Sequence, residues 1–414
     1  MHNILKIASR NLFRYWRRTM LTAGLVTVGV AAVLLFVALA GSFKTLMIGE
    51  ITESYLGHLQ VHRRGYVASI DTLPLDLNMS PETVATVEDA LRKADSVAAW
   101  SPRVKLPAMF SNFTQTTSIR INGVDPARET AASPRLLGRI VDGTPDGFLA
   151  KGEIQLPELL ARGMKVKVGD TVVLVGTNRD GSVNGRTFLV RGILSSATGP
   201  GGRDGYIHID DARQLLRMKT DEVSEIAVRL TDVSAAPATA ERLAGLLAPL
   251  QGPGGKSMLE VHAWAKLSPF ANIANMIDLL IVAVRILLVA IVLIAVMNVM
   301  IMAVFERIRE IGTISAMGTP PGRILGLFLA EGLLLGVFGS IVGVAFSALA
   351  VWAINLMNLT FTFGQADNLR VVASLAPRDV LLTAGVVIIV AALASLQPAW
   401  KAARMDPVTA LRHV

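Results

Sequence analysis

Residues 305–321 read Phe305-Glu306-Arg307-Ile308-Arg309-Glu310-Ile311-Gly312-Thr313-Ile314-Ser315-Ala316-Met317-Gly318-Thr319-Pro320-Pro321. Ile308, Ile311 and Ile314 or Ser315 fall on one side of a helix, Glu306, Arg309 and Glu310 fall elsewhere, and Gly318 with the two prolines stops it. A short amphipathic helix carrying both charge signs is predicted. What flanks it decides the fold. Ile286–Val304 before it has no ionisable side chain, and Ile324–Ile354 after it has only Glu331. A bilayer core about 30 Å thick takes about 20 apolar residues at 1.5 Å rise each, so both runs are long enough to span it. Two further runs qualify: Thr19–Phe43, free of charge, and Val380–Leu396, bounded by Asp379 and Pro398.

Composition agrees. The 414 residues are 52% hydrophobic and 17% charged, which excludes an ordinary soluble protein and a disordered chain. The absence of Cys excludes a disulfide framework, thiolate metal sites and a Cys nucleophile, and leaves the redox compartment open. Ala38-Leu39-Ala40 looks like a signal-peptide cleavage site, but its apolar run exceeds the usual length of about 7–15 residues, so a retained anchor is expected. Lys6, Arg10, Arg14, Arg17 and Arg18 precede the first run with no acid among them, placing the N-terminus in the cytoplasm. Four spans return the tail, with Lys401, Arg404 and Arg412 against Asp406, to the same side. Lys44–Met276 holds 26 basic and 25 acidic residues, so the net charge of +8 is mostly juxtamembrane. That points to anionic lipid and away from nucleic acid.

The segment between the first two runs is long enough for one or two domains. Its pattern mixes α and β. Ser80-Pro81-Glu82 reads as a helix start continuing to Ala94, and Thr117–Val124 alternates as a strand. Asp170–Val175 and Phe188–Leu194 flank a turn-rich Gly176–Gly185 as a hairpin would. Helices are predicted at Leu156–Arg162, Asp210–Met218 and Ala238–Leu247, a tight loop at Gly199–Gly202, and a break at Gly252–Gly255. The latter continues as Lys256-Ser257, but a phosphate-cradling loop needs Gly where Leu250 stands. His58 and His62, at strand entry, read as a surface pair rather than metal ligands, and no HExxH or GxSxG motif occurs.

Glu310-Ile311-Gly312 with Met317-Gly318, followed by Glu331-Gly332 and Gly336, Gly339 and Gly343 in the next span, resembles the FtsX/MacB/LolC-LolE permease domain of ABC transporters. The tail Pro398-Ala399-Trp400-Lys401-Ala402-Ala403-Arg404-Met405-Asp406-Pro407-Val408-Thr409-Ala410-Leu411 and the opening Arg10-Asn11-Leu12 with Arg17-Arg18-Thr19 are similar to the same family's ends. Ser315 departs from the pattern, where relatives carry a basic residue. Glu260-Val261-His262-Ala263-Trp264 is similar to the LolC/LolE branch.

The expected fold class is membrane α-helical, with four transmembrane helices and a large mixed α/β extracytoplasmic domain inserted between helices 1 and 2. The division is 1–18 cytoplasmic amphipathic helix, 19–43 first span, 44–276 extracytoplasmic domain, 277–304 second span and 305–323 coupling helix. It continues with 324–354 third span, 355–378 extracytoplasmic loop, 379–397 fourth span and 398–414 cytoplasmic tail. The resemblance implies a bacterial inner-membrane permease with no enzymatic activity or cofactor of its own. ATP and Mg would be bound by two copies of a partner ATPase, and a second permease, identical or homologous, would complete the complex. Contact with the ATPase is expected at Glu306, Arg309, Glu310, Ile311, Gly312, Met317 and Gly318. Gly336, Gly339 and Gly343 offer a small-residue face for helix packing. Glu331 is expected near the cytoplasmic boundary as an anchor. Phe43, Met47, Trp264, Phe270, Ile273 and Ile277 are candidates for a cleft accepting a lipid-anchored or amphiphilic substrate; otherwise they are packed helix ends. Lipoprotein release by mechanotransmission is the leading function, with MacB-like export or FtsX-like regulation of envelope hydrolases as alternatives.

Overall fold

The computed structural model describes residues 7–8, 10–11, 14, 16–144, 147–195, 204–363, 366–370, 372–407 and 410. The predicted Gly199–Gly202 loop, Lys6 and Leu12, the tail positions Val408, Thr409, Leu411 and Arg412, and much of the predicted helix 1–18 lie outside the described residues. The chain divides into two compact units: Met1–Lys44 with Asn275–Thr360 and Arg370–Val414, and Thr45–Ala274 with Phe361–Leu369.

Helix α1 (Trp16–Ile51) starts in the first unit and ends in the second. The charge-free run predicts a span ending at Phe43, but the helix runs two turns further. The charges met there are paired along the way, Lys44 with Asp278 (2.6 Å) and Glu50 with Arg135 (3.4 Å). A single π-helical turn, Thr52–Leu56, follows and stops at Gly57. Gly57 has φ +80°, and a Cβ there would lie 3.2 Å from the Val228 backbone, so both conformation and space require glycine.

The second unit is built on ten strands: β1 (Leu59–Arg63), β2 (Val97–Ser111), β3 (Thr116–Val124), β4 (Ile140–Gly143), β5 (Glu153–Pro157), β6 (Thr171–Thr177), β7 (Val183–Leu194), β8 (Asp204–His208), β9 (Glu225–Leu230) and β10 (Leu259–Ala263). Their order is β10-β1-β9-β2-β3-β8-β5-β7-β4. Strand β6 pairs with both β2 and β7, so β2, β3, β8, β5, β7 and β6 close into a ring. Val104, Leu106, Ala108 and Phe110 of β2 alternate into the core with Ile119, Ile121, Val172, Leu174 and Phe188. Around the strands lie α2 (Pro81–Arg92), α3 (Pro126–Ala132), α4 (Glu158–Gly163), α5 (Ile209–Leu215), α6 (Ala236–Leu247) and α7 (Trp264–Leu267). Ser80 and Asp125 cap α2 and α3 by accepting first-turn amides, with Pro at the first helical position of each. The helix predicted from Leu156 begins only at Glu158, because Glu153–Pro157 pairs with β7 and β8 as a strand. The predicted hairpin forms with longer strands and a tighter turn.

Two of the positions that alternate out of the core on β2, Arg103 and Lys105, are charged. Arg103 (2% exposed) meets Glu129 of α3 and Glu225 of β9, both fully buried, and Glu225 also meets Lys105 and His62 of β1. Burial works against the Glu225 carboxylate, but Lys105, His62 and Arg103 outweigh it and hold it well below the usual carboxylate range. The expectation of a surface pair at His58 and His62 is overturned: both are buried, His58 accepting the Leu230 amide (3.1 Å) and His62 stacking on Tyr66. Strand alternation in a two-layered domain buries both faces, so a polar strand residue need not face water.

In the first unit α1 is joined by α8 (Phe270–Glu306), α9 (Ile308–Ala316), α10 (Pro321–Leu356) and α11 (Pro377–Ala403). Four of these helices, α1, α8, α10 and α11, are long and apolar enough to cross a membrane. Val26, Val30 and Leu34 of α1, Val292 and Val296 of α8, Phe328 and Leu335 of α10 and Val387 and Ala391 of α11 share one core. Much of α8 stays uncovered, with Leu279, Ile286, Leu287 and Ile294 exposed. The helix of the fourth span does not end before Pro398: α11 continues to Ala403 with Pro398 buried inside it. Packed helices tolerate the one backbone bond that proline forgoes. In the segment expected to be a loop, strands β11 (Thr360–Phe363) and β12 (Ala366–Arg370) pair, and Phe361–Leu369 belongs to the second unit.

Candidate functional site

The segment quoted first folds as a compact corner in the first unit. Helix α8 ends at Glu306, Arg307 leaves helical geometry (φ −110°, ψ 19°), and α9 starts at Ile308. Ile308, Ile311 and Gly312 are buried. Glu306, Arg309, Glu310, Thr313 and Met317 are exposed, Met317 by 72%. Ile314 is on the exposed side, so the apolar face is narrower than its spacing predicts. Gly318 turns the chain with φ +87°; no atom crowds its missing Cβ, so it is the backbone conformation that selects glycine there. Pro320 is extended and Pro321 opens α10, so the second proline begins a helix rather than ending one.

Arg307 points inward. Its Nη1 donates to Glu331 Oε1 on α10 at 2.8 Å, and Asn11 Nδ2 donates to the same oxygen at 2.8 Å. Arg307 is 4% and Glu331 2% exposed. Glu331 is thus buried and paired within the helices. This ion pair ties the start of α9 to α10 and fixes how the exposed face of α9 is presented. A groove of about 560 Å³, lined by Ile311, Ile314, Arg323, Ile324 and Leu327 among others, runs beside it. The corner therefore offers two acids, a cation and a protruding Met beside a groove lined by both apolar and charged residues, a surface suited to a protein partner.

The glycines of α10 are placed against neighbours. A Cβ on Gly339 would lie 2.6 Å from Val26, on Gly343 2.8 Å from Val30, and on Gly336 2.7 Å from Ala391. The six cleft candidates divide between the two units. Met47 has no exposed surface and Trp264 is 8% exposed, both in the core of the second unit with Phe270 and Ile273 packed against it. In the first unit Ile277 is buried and Phe43 half-buried. Among the described residues no group of three or more His, Asp or Glu is placed to hold a metal ion. Sequence reasoning passed over Arg307; the signal was a cation directly after an apolar run, with a lone acid inside the next one.

A profile of the MacB-like periplasmic core domain matches residues 19–246, more than half of the chain, and one of the FtsX-like permease C-terminal domain matches residues 280–407. The chain belongs to the MacB/FtsX family of ABC transporter permeases. The permease is 23% identical to the lipoprotein-releasing system transmembrane protein LolC of Neisseria meningitidis serogroup B, over 99% of this chain and 97% of that protein. It is 25% identical to the macrolide export ATP-binding/permease protein MacB of Nitrobacter winogradskyi, over 95% of this chain but 58% of that protein. Among solved structures, the periplasmic region of MacB from Actinobacillus actinomycetemcomitans matches at 13% identity with a TM-score of 0.36, over 52% of this chain and 94% of that one. The second unit of the permease is thus its inserted MacB-like domain, and α8–α11 form its FtsX-like part.

Proposed function

We propose that this permease is the membrane subunit of an inner-membrane ABC transporter that releases a lipid-anchored substrate, lipoprotein in the first instance. A separate ATPase, in two copies, would dock on the exposed face of α9, and a second permease would cover part of the apolar surface of α8. The basic N-terminus supports a cytoplasmic position for that face and an outer one for the inserted domain. The alignment with LolC over nearly the whole of both chains carries the reading. Phe43, Met47, Trp264, Phe270, Ile273 and Ile277 would meet an acyl chain after the helix ends move apart, since each buried methylene is worth about 0.8 kcal/mol and is not given up to water.

The test is reversal of both acids, Glu306→Lys with Glu310→Lys, in the full chain purified from its own membranes. The wild-type complex is expected to hydrolyse ATP and to retain acylated peptides detectable by mass spectrometry. The variant is expected to insert normally but lose the ATPase. Undiminished hydrolysis by the variant complex rejects docking on α9, and retention of small non-acylated molecules in place of acylated peptides favours MacB-like export.

A further inference from the structure

The last carbonyls of a helix have no partner within it and must find donors elsewhere. At the end of α1 every carbonyl of the π-turn has a donor: Thr52 keeps the turn's own closing bond, and the other four take theirs from elsewhere in the inserted domain. The Thr52 carbonyl accepts from Gly57 N (2.8 Å), Glu53 from Arg135 N (3.0 Å), Ser54 from Arg139 Nη1 (3.5 Å), Tyr55 from Arg103 Nη1 (2.6 Å) and Leu56 from Gln60 Nε2 (2.7 Å). The Arg135 side chain also pairs with Glu53 (2.8 Å) and Glu50 (3.4 Å). Three arginines at a helix C-terminus suit its partial negative charge. Arg103 is the one that reaches the sheet interior. It donates from Nε and Nη2 to Glu129 (2.9 and 2.6 Å), from Nη2 to Ser133 (3.2 Å) and from Nη1 to Glu225 (3.1 Å), which with Tyr55 occupies all five of its N–H groups.

The geometry points to Arg103 as a positioning residue that welds the end of α1 to the sheet, making the π-turn a rigid joint. Residues from Thr45 onward are in the same compact unit as the sheet, and the helix reaching them is unbroken from Trp16. A shift of the helix end cannot be absorbed by bending at 52–57, where each carbonyl is held; it passes through the guanidinium into β2, β9 and α3 together. That the joint serves transport rests on the function proposed above.

Hydrogen exchange of the full-length protein tests it, without nucleotide or partner, so failure here is separate from failure of the α9 docking test. Arg103→Met is expected to speed exchange at Gly57 and the neighbouring amides about tenfold to hundredfold while the amides of Leu174 and Phe188 keep their protection. Arg103→Lys, which keeps the charge without the five-donor fork, is expected to fall between. Should the two stranded acids unfold the single variant, Arg103→Met with Glu129→Gln and Glu225→Gln removes that charge and is expected to show the same local loosening. In a protein without native Cys, labels at Thr45→Cys and Ser118→Cys are expected to report a single helix-to-sheet distance that broadens in these variants. Unchanged exchange at Gly57, or loosening spread equally over every strand, overturns the joint.

Discussion

Replacing Gly343 by alanine tests the close approach of α10 to α1. The new Cβ would sit 2.8 Å from both Cβ and Cγ1 of Val30 and 3.0 Å from the Thr27 carbonyl oxygen. Comfortable carbon contacts are about 3.5–4.0 Å, so the helices must part by nearly 1 Å. Val30 Cβ and the Thr27 oxygen are fixed to the backbone, so no rotamer change relieves the clash. Overpacking of this kind costs about 1–3 kcal/mol. Alanine's better helix propensity returns up to about 1 kcal/mol, leaving a net destabilisation of about 1–2 kcal/mol. Gly385 on α11 supplies the control, since nothing lies within 4 Å of its missing Cβ. There only the propensity gain applies, and Gly385→Ala is expected to stabilise by up to about 1 kcal/mol. Unfolding both variants and the parent side by side in one detergent should move the two in opposite directions. If Gly343→Ala matches the parent, or moves with Gly385→Ala, the helix contact is not made through glycine and the reasoning fails.

Arg307→Met strands the Glu331 carboxylate in an apolar bundle and is expected to cost about 3–5 kcal/mol, whereas Arg307→Met with Glu331→Met should cost clearly less; a double variant as unstable as the single one would show that the pair is not what holds the corner. Burial, as the first cause, holds His58 and His262 below the ordinary His value of 6.5, so each favours the fold when neutral. Their contribution is fully present above about pH 6.5 and is lost as pH falls through the lowered values. The melting temperature of the full-length protein should drop between about pH 7 and 5, and His58→Gln should flatten that slope; an unchanged slope removes His58 from the account.

The four long helices were legible because lipid-length runs without charge have few other uses, and their order placed the inserted domain. Their ends were not. A sequence criterion stops at the first charge or proline, but Lys44 and Glu50 have partners across the fold and Pro398 sits inside a packed helix, so α1 and α11 run on. Most of the face of α9 was readable from its spacing, whereas the Arg307–Glu331 pair joins positions two dozen residues apart, marked only by a cation after one apolar run and a lone acid inside the next. The same holds for Arg103, whose partners Glu129, Glu225 and Tyr55 come from three separate elements. Alternation along β2 shows that it leaves the core face; only the fold shows that the opposite face is also covered.

Strand β1 follows directly on α1, yet its partners are β9 and β10: Val61 pairs with Ile226, and Leu59 with Ala263, about 200 residues later in the chain. Contacts so distant in sequence form late and slowly, since a long loop must close before any of them is rewarded. As the chain is made from its N-terminus, β1 and the polar sheet face beside it wait until almost the whole insertion has emerged, only a few residues before α8 begins. Through that interval β1 is an unpaired edge with His62 and Gln60 uncovered. The demand this places on the cell is one of timing: until α8 follows, the unfinished domain needs either speed or a chaperone on its own side of the membrane.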